Sequence, residues 1–207
     1  MNVVEPGSPA EGMIARAKAL ILRPLKTWDV IDGEEATIEG LYKTWVIPLA
    51  AIPAVCGVVR SLGFGGVHIF GVSYRPSIAA IIGQALTGYV LSLISLYVLA
   101  LVVDELALRF GGERSRTQAF KLGAYAATPG WLAGLFLLLP AIGGLLTLLG
   151  GLYSLYLLYL GLPKLMRSDP DRTGVYFLAV LALTVVLGIL IGALTSCVAG
   201  LGGPISL

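Results

Sequence analysis

Residues 119–162, AFKLGAYAATPGWLAGLFLLLPAIGGLLTLLGGLYSLYLLYLGL, contain one charged side chain, that of Lys121. As a single helix, a segment of this length would extend for roughly 60 Å, at about 1.5 Å per residue. That length is about twice the thickness of the hydrocarbon core of a bilayer, which is roughly 30 Å. The segment must therefore turn back on itself as a helical hairpin, and Pro140, which breaks helices, is the predicted position of the turn.

The rest of the chain has the same apolar character. Of its 207 residues, 57% are hydrophobic and 13% are charged, about half the charged fraction of roughly 25% in a typical soluble domain. A spanning helix needs about 20 mostly apolar residues, and five stretches meet this requirement: residues 44–62, 77–103, 119–139, 141–162 and 175–199. The predicted fold is an all-α polytopic membrane bundle with five transmembrane helices. A net charge of +2 gives no support for nucleic-acid binding.

Lysine and arginine residues are distributed unevenly between the two sides of this bundle. Twelve of them precede the first span or lie in the connections between spans two and three and between spans four and five. The other side has Arg60 and Arg75. Because cytoplasmic loops carry the excess of Lys and Arg, we expect a cytoplasmic N-terminus and an external C-terminus.

The chain divides into three predicted regions: a cytoplasmic N-terminal arm (1–40), a membrane domain (41–200) and a short external tail (201–207). Within the arm, apolar residues recur at helical spacing and predict an amphipathic helix: Met13, Ile14, Ala17, Leu20 and Ile21. Two arrangements remain open. The helix lies in the membrane interface, with Trp28 as an interfacial anchor, or it packs on the cytoplasmic ends of the bundle.

Ionisable residues inside membrane spans usually mark function. Asp104 and Glu105 lie at the predicted cytoplasmic end of span two, and Lys121 lies at the cytoplasmic start of span three. Because antiparallel neighbours bring these residues to a similar depth, we expect an ion pair that closes the hairpin. A proton or cation site is the alternative.

Small residues recur every four positions along the fifth span, among them Gly188 and Gly192. In lipid, helices associate through close packing of small residues. The pattern predicts helix packing within the bundle, and the alternative is a homodimer face that would make the protein a homo-oligomer.

The sequence offers no catalytic or metal-binding constellation. The single histidine, His68, has no identified acidic orienting partner, as a Ser–His pair would require. Cys56 and Cys197 have no metal-ligand spacing. We therefore expect a non-enzymatic protein without a cofactor or a metal.

Four segments resemble the bacterial branch of the Yip1 family of five-span membrane proteins. They are RAKALILRPLKTWDVI (16–31), LYKTWVIPLAAIPAV (41–55), YVLALVVDELALRFGGERSRTQAFKLGAYAATPGWLAG (97–134) and LLPAIGGLLTLLGGLYSLYLLYLGLPKLM (138–166). The resemblance covers roughly residues 13–195. The residues that match the family pattern are Tyr125, Pro129, Trp131, Pro140, Tyr153, Tyr156, Gly161 and Pro163.

This resemblance implies five spans with a cytoplasmic N-terminus. Eukaryotic members are associated with Golgi and endoplasmic reticulum membranes and with Rab-type GTPases, in vesicle traffic and membrane shaping. They carry a longer cytoplasmic N-terminal region than this chain does, and the bacterial branch implies no defined biochemical activity.

Two functions follow as hypotheses. The first is a non-enzymatic protein of the bacterial inner membrane that organises an unidentified protein partner or the lipid bilayer from its cytoplasmic face. The second is a small transporter or channel that uses the proline-broken spans one and three, with Asp104, Glu105 and Lys121 near its entrance. A continuous polar cavity between the spans would favour the second hypothesis, and a closely packed bundle would favour the first.

Overall fold

The computed structural model describes residues 9–64, 67–69, 72–74 and 77–200. Their regular secondary structure is helical apart from a short antiparallel hairpin between two of the long helices, in which Val67 pairs with Tyr74 and Ile69 with Val72. The elements in chain order are α1 (Pro9–Leu22), α2 (Pro24–Gly33), α3 (Ile38–Leu41), a π-helical turn (Tyr42–Val46), α4 (Ile47–Phe64), β1 (Val67–Ile69), β2 (Val72–Tyr74), α5 (Ile78–Ala107), a 3-10 turn (Leu108–Phe110), α6 (Arg116–Ala126), α7 (Thr128–Ala133), a 3-10 stretch (Gly134–Leu138), α8 (Gly143–Leu165) and α9 (Pro170–Gly200).

Four helical segments of the described chain are long and apolar enough to cross a membrane. They are Ile38–Gly63, Ile78–Phe110, Gly143–Leu165 and Pro170–Cys197. They correspond to the first, second, fourth and fifth predicted spans. The chain is therefore a helical, multi-pass membrane protein.

The predicted third span, residues 119–139, is not one continuous helix. It consists of α6, α7 and the 3-10 stretch that follows. Pro129 lies in the first turn of α7, where its missing amide is tolerated but where α6 cannot continue through it. At Gly134 a Cβ atom would lie 2.7 Å from the Cβ of Pro53 on α4. The close contact with α4 and the proline together explain why the segment is broken.

The broken segment and α8 form the hairpin that the sequence predicts. Pro140 lies in the connection between the 3-10 stretch and α8. The amide of Gly130 donates to the hydroxyl of Ser154 at 2.9 Å, and the hydroxyl of Thr147 donates to the Ala133 carbonyl at 3.2 Å. These contacts join the two arms of the hairpin along its length.

The two ends of the bundle differ, and we name them by their residues. At the charged end, α5 and α8 finish while α6 and α9 begin, and the arm α1–α2 packs there. At the opposite Arg60 end, α4 finishes and α5 begins. Completely buried large side chains mark the charged end: Leu20, Trp28, Ile31, Phe120, Leu122, Leu162, Met166 and Tyr176.

The arm packs on the bundle through one face. Leu20, Trp28 and Ile31 are fully buried, whereas Ile14 is 69% and Leu22 is 63% exposed. Of the two arrangements left open by the sequence, the structure therefore has the one in which the helix packs on the end of the bundle. A second apolar face of the arm remains exposed. Trp28 is not an interfacial anchor, because its ring lies inside the bundle.

The glycine stripe of α9 does not pack against another helix of the described chain. Gly188 and Gly192 are exposed, and no atom lies within 4 Å of a Cβ built on either residue. The helix contacts α5 elsewhere, through Thr195, whose side chain lies 3.4 Å from the Cβ position of Gly88. The prediction of packing within the bundle is therefore wrong for these two glycines, because a stripe of small residues does not specify which face is covered.

Candidate functional site

Ion pairs among the described residues are confined to the charged end and the arm. Most of them are exposed, and exposed pairs contribute little to the free energy of unfolding, roughly 0–1 kcal/mol each. The pairs are Arg16–Glu34, Lys43–Glu39, Arg114–Asp104, Arg114–Glu105, Arg116–Asp104, Lys164–Asp29, Arg167–Glu113 and Arg172–Asp169.

Asp104 is the buried carboxylate of this end. Its Oδ2 atom lies 3.7 Å from Arg114 Nη2 and 3.7 Å from Arg116 Nε. Its Oδ1 atom has no hydrogen-bond partner within the described ranges. Glu105, the next residue, is exposed and pairs with Arg114. The arginines before and at the start of α6 therefore hold the end of α5.

Lys121 does not pair with either acidic residue. Its ammonium group is buried and donates to the main-chain carbonyl of Ile31 at 2.9 Å and to that of Glu34. The last carbonyls of a helix lack partners within the helix, so Lys121 satisfies the end of α2. The predicted Asp104–Glu105–Lys121 pair is not formed, because Lys121 lies farther along α6 and faces the arm, whereas Arg114 and Arg116 reach α5 first.

A second residue of α6 also binds the end of α2. The side-chain amide of Gln118 donates to Asp32, to its carboxylate at 2.9 Å and to its main-chain carbonyl at 3.1 Å. Together with Lys121, one turn of α6 fixes the position of the arm on the bundle.

Gly161 makes room for the arm on α8. A Cβ atom at this position would lie 2.9 Å from the Cε2 atom of Trp28 and 2.5 Å from the Cδ1 atom of Leu122. Because real side chains do not tolerate such distances, only glycine lets the Trp28 ring lie flat against α8. Tyr153 adds a hydrogen bond from its hydroxyl to the Ile21 carbonyl at 2.7 Å. The family-pattern residues Gly161 and Tyr153 therefore both hold the arm.

A buried layer lies between the arm and the Arg60 end. The indole N–H of Trp45 donates to the hydroxyl of Thr128 at 3.0 Å, and the rings of Trp45 and Tyr125 lie 4.9 Å apart. Pro129 is buried beside them. The family-pattern residues Tyr125 and Pro129 are thus part of this buried layer.

Two further family-pattern residues occupy less buried positions. Trp131 is partly buried and lines a cavity towards the Arg60 end. Tyr156 is exposed, and its ring lies 5.6 Å from that of Tyr153. The pattern residues therefore do not form one site.

The loops of the charged end are packed against each other. Gly111 has a φ of +74°, a conformation that glycine adopts without strain. At Gly112 a Cβ atom would overlap the Met166 carbonyl oxygen, and the Glu113 amide donates to that oxygen at 2.8 Å. The loop after α5 therefore fits directly onto the loop after α8.

In the described ranges, no three His, Cys, Asp or Glu side chains are grouped so that they could hold a metal ion. Cys56 and Cys197 are free thiols. His68 lies on β1, and its side chain is outside what the structure describes.

Sequence reasoning missed the burial of Trp28 and the role of Gly161 opposite it. A signal was present, because Gly161 interrupts a run of large apolar residues in α8. It also missed the pairing of Trp45 with Thr128, which lie 83 positions apart in the sequence and have no local signature.

Comparisons with known proteins identify the family of this chain. The family model described as Yip1 domain matches residues 18–193. The chain is 28% identical over 186 residues to the inner membrane protein YohC of Escherichia coli strain K12, covering 88% of this chain and 95% of the relative. YohC of the Escherichia coli strain CFT073 matches with the same identity and coverage. No solved structure matches the chain significantly. The family match covers most of the chain, including the arm helix α2, the hairpin and the buried layer, and the protein belongs to the Yip1 family.

Proposed function

We propose that this Yip1-family protein is a non-enzymatic, multi-pass protein of the inner membrane whose arm organises the bilayer from the cytoplasmic face. The observation that carries this proposal is the composition of the exposed face of the arm. Large apolar and basic side chains are exposed together on two helices whose other face is fixed to the bundle.

The exposed apolar side chains of the arm are numerous for so short a segment. They are Ile14, Ile21, Leu22, Leu25 and Val30. Beside them, Lys18, Arg23 and Lys26 are also exposed. Helices with this combination lie in the membrane interface, where the apolar face enters the boundary of the acyl chains and basic residues attract anionic headgroups. The arm therefore connects the membrane surface to the bundle.

The proposed membrane arrangement has five crossings, with the segment Arg116–Leu138 as the broken third one. It is supported by the contacts of that segment with both ends of the bundle. At the charged end, Lys121 donates to the arm. At the Arg60 end, the guanidinium of Arg60 donates to the Leu137 carbonyl at 3.3 Å. The uneven distribution of cations supports a cytoplasmic charged end, with residues 1–40 as the arm, 41–200 as the membrane domain and 201–207 as an external tail. Residues 1–8 and 201–207 lie outside the described residues.

Cysteine labelling tests this arrangement. In a chain whose two native cysteines are replaced by alanine, we expect Ser8→Cys to react with an impermeant reagent only from the cytoplasmic side. Ser206→Cys should react only from outside. The reverse pattern would contradict the orientation, and labelling of both from one side would contradict an odd number of crossings.

Lipid-depth quenching tests the function of the arm. Two single-cysteine variants are compared. One replaces Leu25, on the exposed apolar face, and the other replaces Glu35, which is exposed beyond the end of α2. Both variants carry the same environment-sensitive fluorophore. In bilayers with brominated acyl chains, we expect strong quenching at position 25 and weak quenching at position 35. Equal and weak quenching at both positions would show that the arm does not enter the bilayer.

A protein partner at the same face is the second candidate. The partner would be captured from native membranes with the wild-type chain and lost with Leu22→Glu or Leu25→Glu. These variants change the exposed face and leave the buried face of the arm intact, unlike deletion of residues 1–40. Rab-type GTPases, the partners of eukaryotic relatives, are one class that this experiment would identify.

The transport hypothesis has less support. A cavity with a mixed polar and apolar lining lies between the helices, in the half of the bundle towards the Arg60 end. Buried Trp45, Tyr125 and Thr128 fill the bundle between this cavity and the charged end. The described part of the bundle is thus closely packed across its middle, as the first hypothesis expects.

A further inference from the structure

A cavity of about 490 Å³ lies at the Arg60 end, between α4, α5, the 3-10 stretch before α8, and α9. Its lining is mostly apolar, and Trp131 is part of it. Its polar lining comes from three of these helices: Arg60, Ser61, Gln84, Tyr89, Ser92 and Thr195.

Arg60 is the charged residue of this lining, and it is partly buried. The chain has no Asp or Glu between residues 40 and 103, between 114 and 168, or after residue 171. The nearest acidic residue along α5, Asp104, is 20 positions beyond Gln84, which corresponds to about 30 Å along the helix. The cavity therefore holds a cation that no acidic side chain among the described residues neutralises.

A partly buried guanidinium in a membrane bundle is stabilised by an anionic counterpart. The described contact of Arg60 is one carbonyl, that of Leu137, at 3.3 Å. A guanidinium has five N–H donors, so the contacts within the described residues use only a part of its donor capacity. Its planar fork matches the oxygens of a phosphate group.

An apolar groove of about 220 Å³ adjoins the cavity on the surface between α4 and α5. The cavity and the groove share four lining residues, Ala54, Val58, Ala85 and Tyr89. The groove continues between Val55 and Leu86, which are both exposed at the apolar surface of the helices. Because alanines line the boundary, the two spaces lie side by side with little side-chain volume between them.

We infer that the Arg60 cavity binds the anionic headgroup of a membrane lipid, with its phosphate at Arg60 and an acyl chain in the adjoining groove. A lipid is the occupant because the charged Arg60 in the cavity and the adjoining apolar groove together match a molecule with a charged head and an apolar chain. A soluble anion would use only the cavity. This inference does not depend on the proposed function of the arm.

Lipid retention tests the inference. The protein is purified from bilayers that contain equal amounts of phosphatidylglycerol and phosphatidylcholine with identical acyl chains, and the bound lipid is identified by native mass spectrometry. We expect the wild type to retain phosphatidylglycerol preferentially. Arg60→Gln should reduce this preference by about tenfold, the order expected when a charge-assisted hydrogen bond is lost.

Three further variants distinguish the effect of the Arg60 charge from the effect of the cavity volume. Arg60→Lys keeps the charge and should retain part of the preference. Gly57→Leu should abolish retention by filling the cavity, because Gly57 lines it and no atom lies within 4 Å of its Cβ position. Arg109→Gln removes an exposed arginine at the charged end and should behave as the wild type.

The soluble-anion source is distinguished by inorganic phosphate. We expect phosphatidylglycerol to raise the melting temperature of the detergent-purified protein and inorganic phosphate at the same concentration to leave it unchanged. The inference is overturned if phosphate stabilises as strongly as the lipid, if phosphatidylcholine is retained equally, or if Arg60→Gln retains phosphatidylglycerol as the wild type does. If Arg60→Gln does not fold, Gly57→Leu decides: unchanged retention in that variant overturns the inference.

Discussion

At the charged end of the bundle, Trp28, Phe120 and Leu122 are completely buried, whereas towards the Arg60 end Val55 and Leu86 expose more than half of their surface. The length of α5 explains the difference. Its 30 residues extend for about 45 Å, and the hydrocarbon core of a bilayer is about 30 Å thick. Roughly 15 Å of an untilted α5 therefore lies beyond the hydrocarbon, and we place this excess at the charged end.

The two ends are consequently stabilised by different forces. Outside the hydrocarbon, water drives apolar side chains into a common core, as in a soluble protein. Inside it, lipid chains solvate apolar residues as well as a neighbouring helix does, so packing and hydrogen bonds decide which surfaces meet. We expect substitutions at the charged end to have the larger effects on stability, and the following experiments test that contrast.

The largest effect is expected for Trp28→Ala. Removing a fully buried tryptophan costs about 3–5 kcal/mol, and here it also leaves Gly161 facing an empty space. Thermal unfolding in detergent measures the loss, and limited proteolysis should show cleavage in α1–α2. Leu25→Ala is the matched control, because Leu25 lies on the same helix and is 53% exposed. Equal destabilisation by both variants would contradict a core at this end.

The polar network should show the next largest effect. Lys121→Ala leaves the carbonyls of Ile31 and Glu34 without their charged donor, which we expect to cost about 2 kcal/mol. Because Asp104 is held by other residues, Lys121→Ala and Asp104→Ala should be additive within about 0.5 kcal/mol. In a double-mutant cycle measured by thermal unfolding, a large coupling energy between positions 104 and 121 would support the ion pair that the sequence predicts. Coupling is expected instead between Asp104 and Arg116.

The sequence predicts those features that depend on local composition. The lengths of the apolar segments predict four of the spans, because span length depends on the bilayer thickness. Pro140 predicts the turn of the hairpin, because the geometry of proline ends a helix. The family also follows from the order of the motifs. The partner of Lys121 does not follow, because it depends on which face of α6 meets the arm.

Two other features of the structure could not be predicted for the same reason, because they depend on which surfaces of distant elements meet. The broken third segment results from Pro129 together with the contact between Gly134 and Pro53, and this contact joins elements that are distant in sequence. The small residues of α9 define a face, but no local pattern states whether another helix, a second copy or lipid covers it. Within the candidate site, Tyr125 and Tyr153 could be identified from the family pattern, but their bonding partners could not.

A smaller effect is expected at the buried layer between the two ends. Thr128→Val removes the acceptor of the Trp45 indole N–H and leaves a buried donor unpaired, at a cost of about 1–2 kcal/mol. Adding Trp45→Phe removes that donor, so the double variant should lose less stability than the sum of the two single variants. Strict additivity in chemical or thermal unfolding would show that the hydrogen bond contributes nothing.

The smallest effect is expected for Gly192→Leu, although the same change would be severe in a packed helix pair. Gly192 is exposed with open space around its Cβ position, so the new side chain should change stability by no more than about 0.5 kcal/mol. Gly88→Leu is the control, because its Cβ position lies 3.4 Å from Thr195 on α9, and overpacking there should cost about 1–3 kcal/mol.

Melting curves combined with light scattering after size-exclusion chromatography distinguish the remaining arrangements of α9. If Gly192→Leu dissociates an oligomer while the monomer melts as before, the glycine face is a seam between two copies of the chain. If neither quantity changes, the face is covered by lipid, which solvates leucine as readily as glycine. If the monomer itself is destabilised as much as by Gly88→Leu, another part of the chain covers this face. We expect an unchanged monomer, because no atom lies within 4 Å of the Cβ position of Gly192. Thr195, which contacts α5, lies three residues farther along α9 and about 60° around the helix at 3.6 residues per turn.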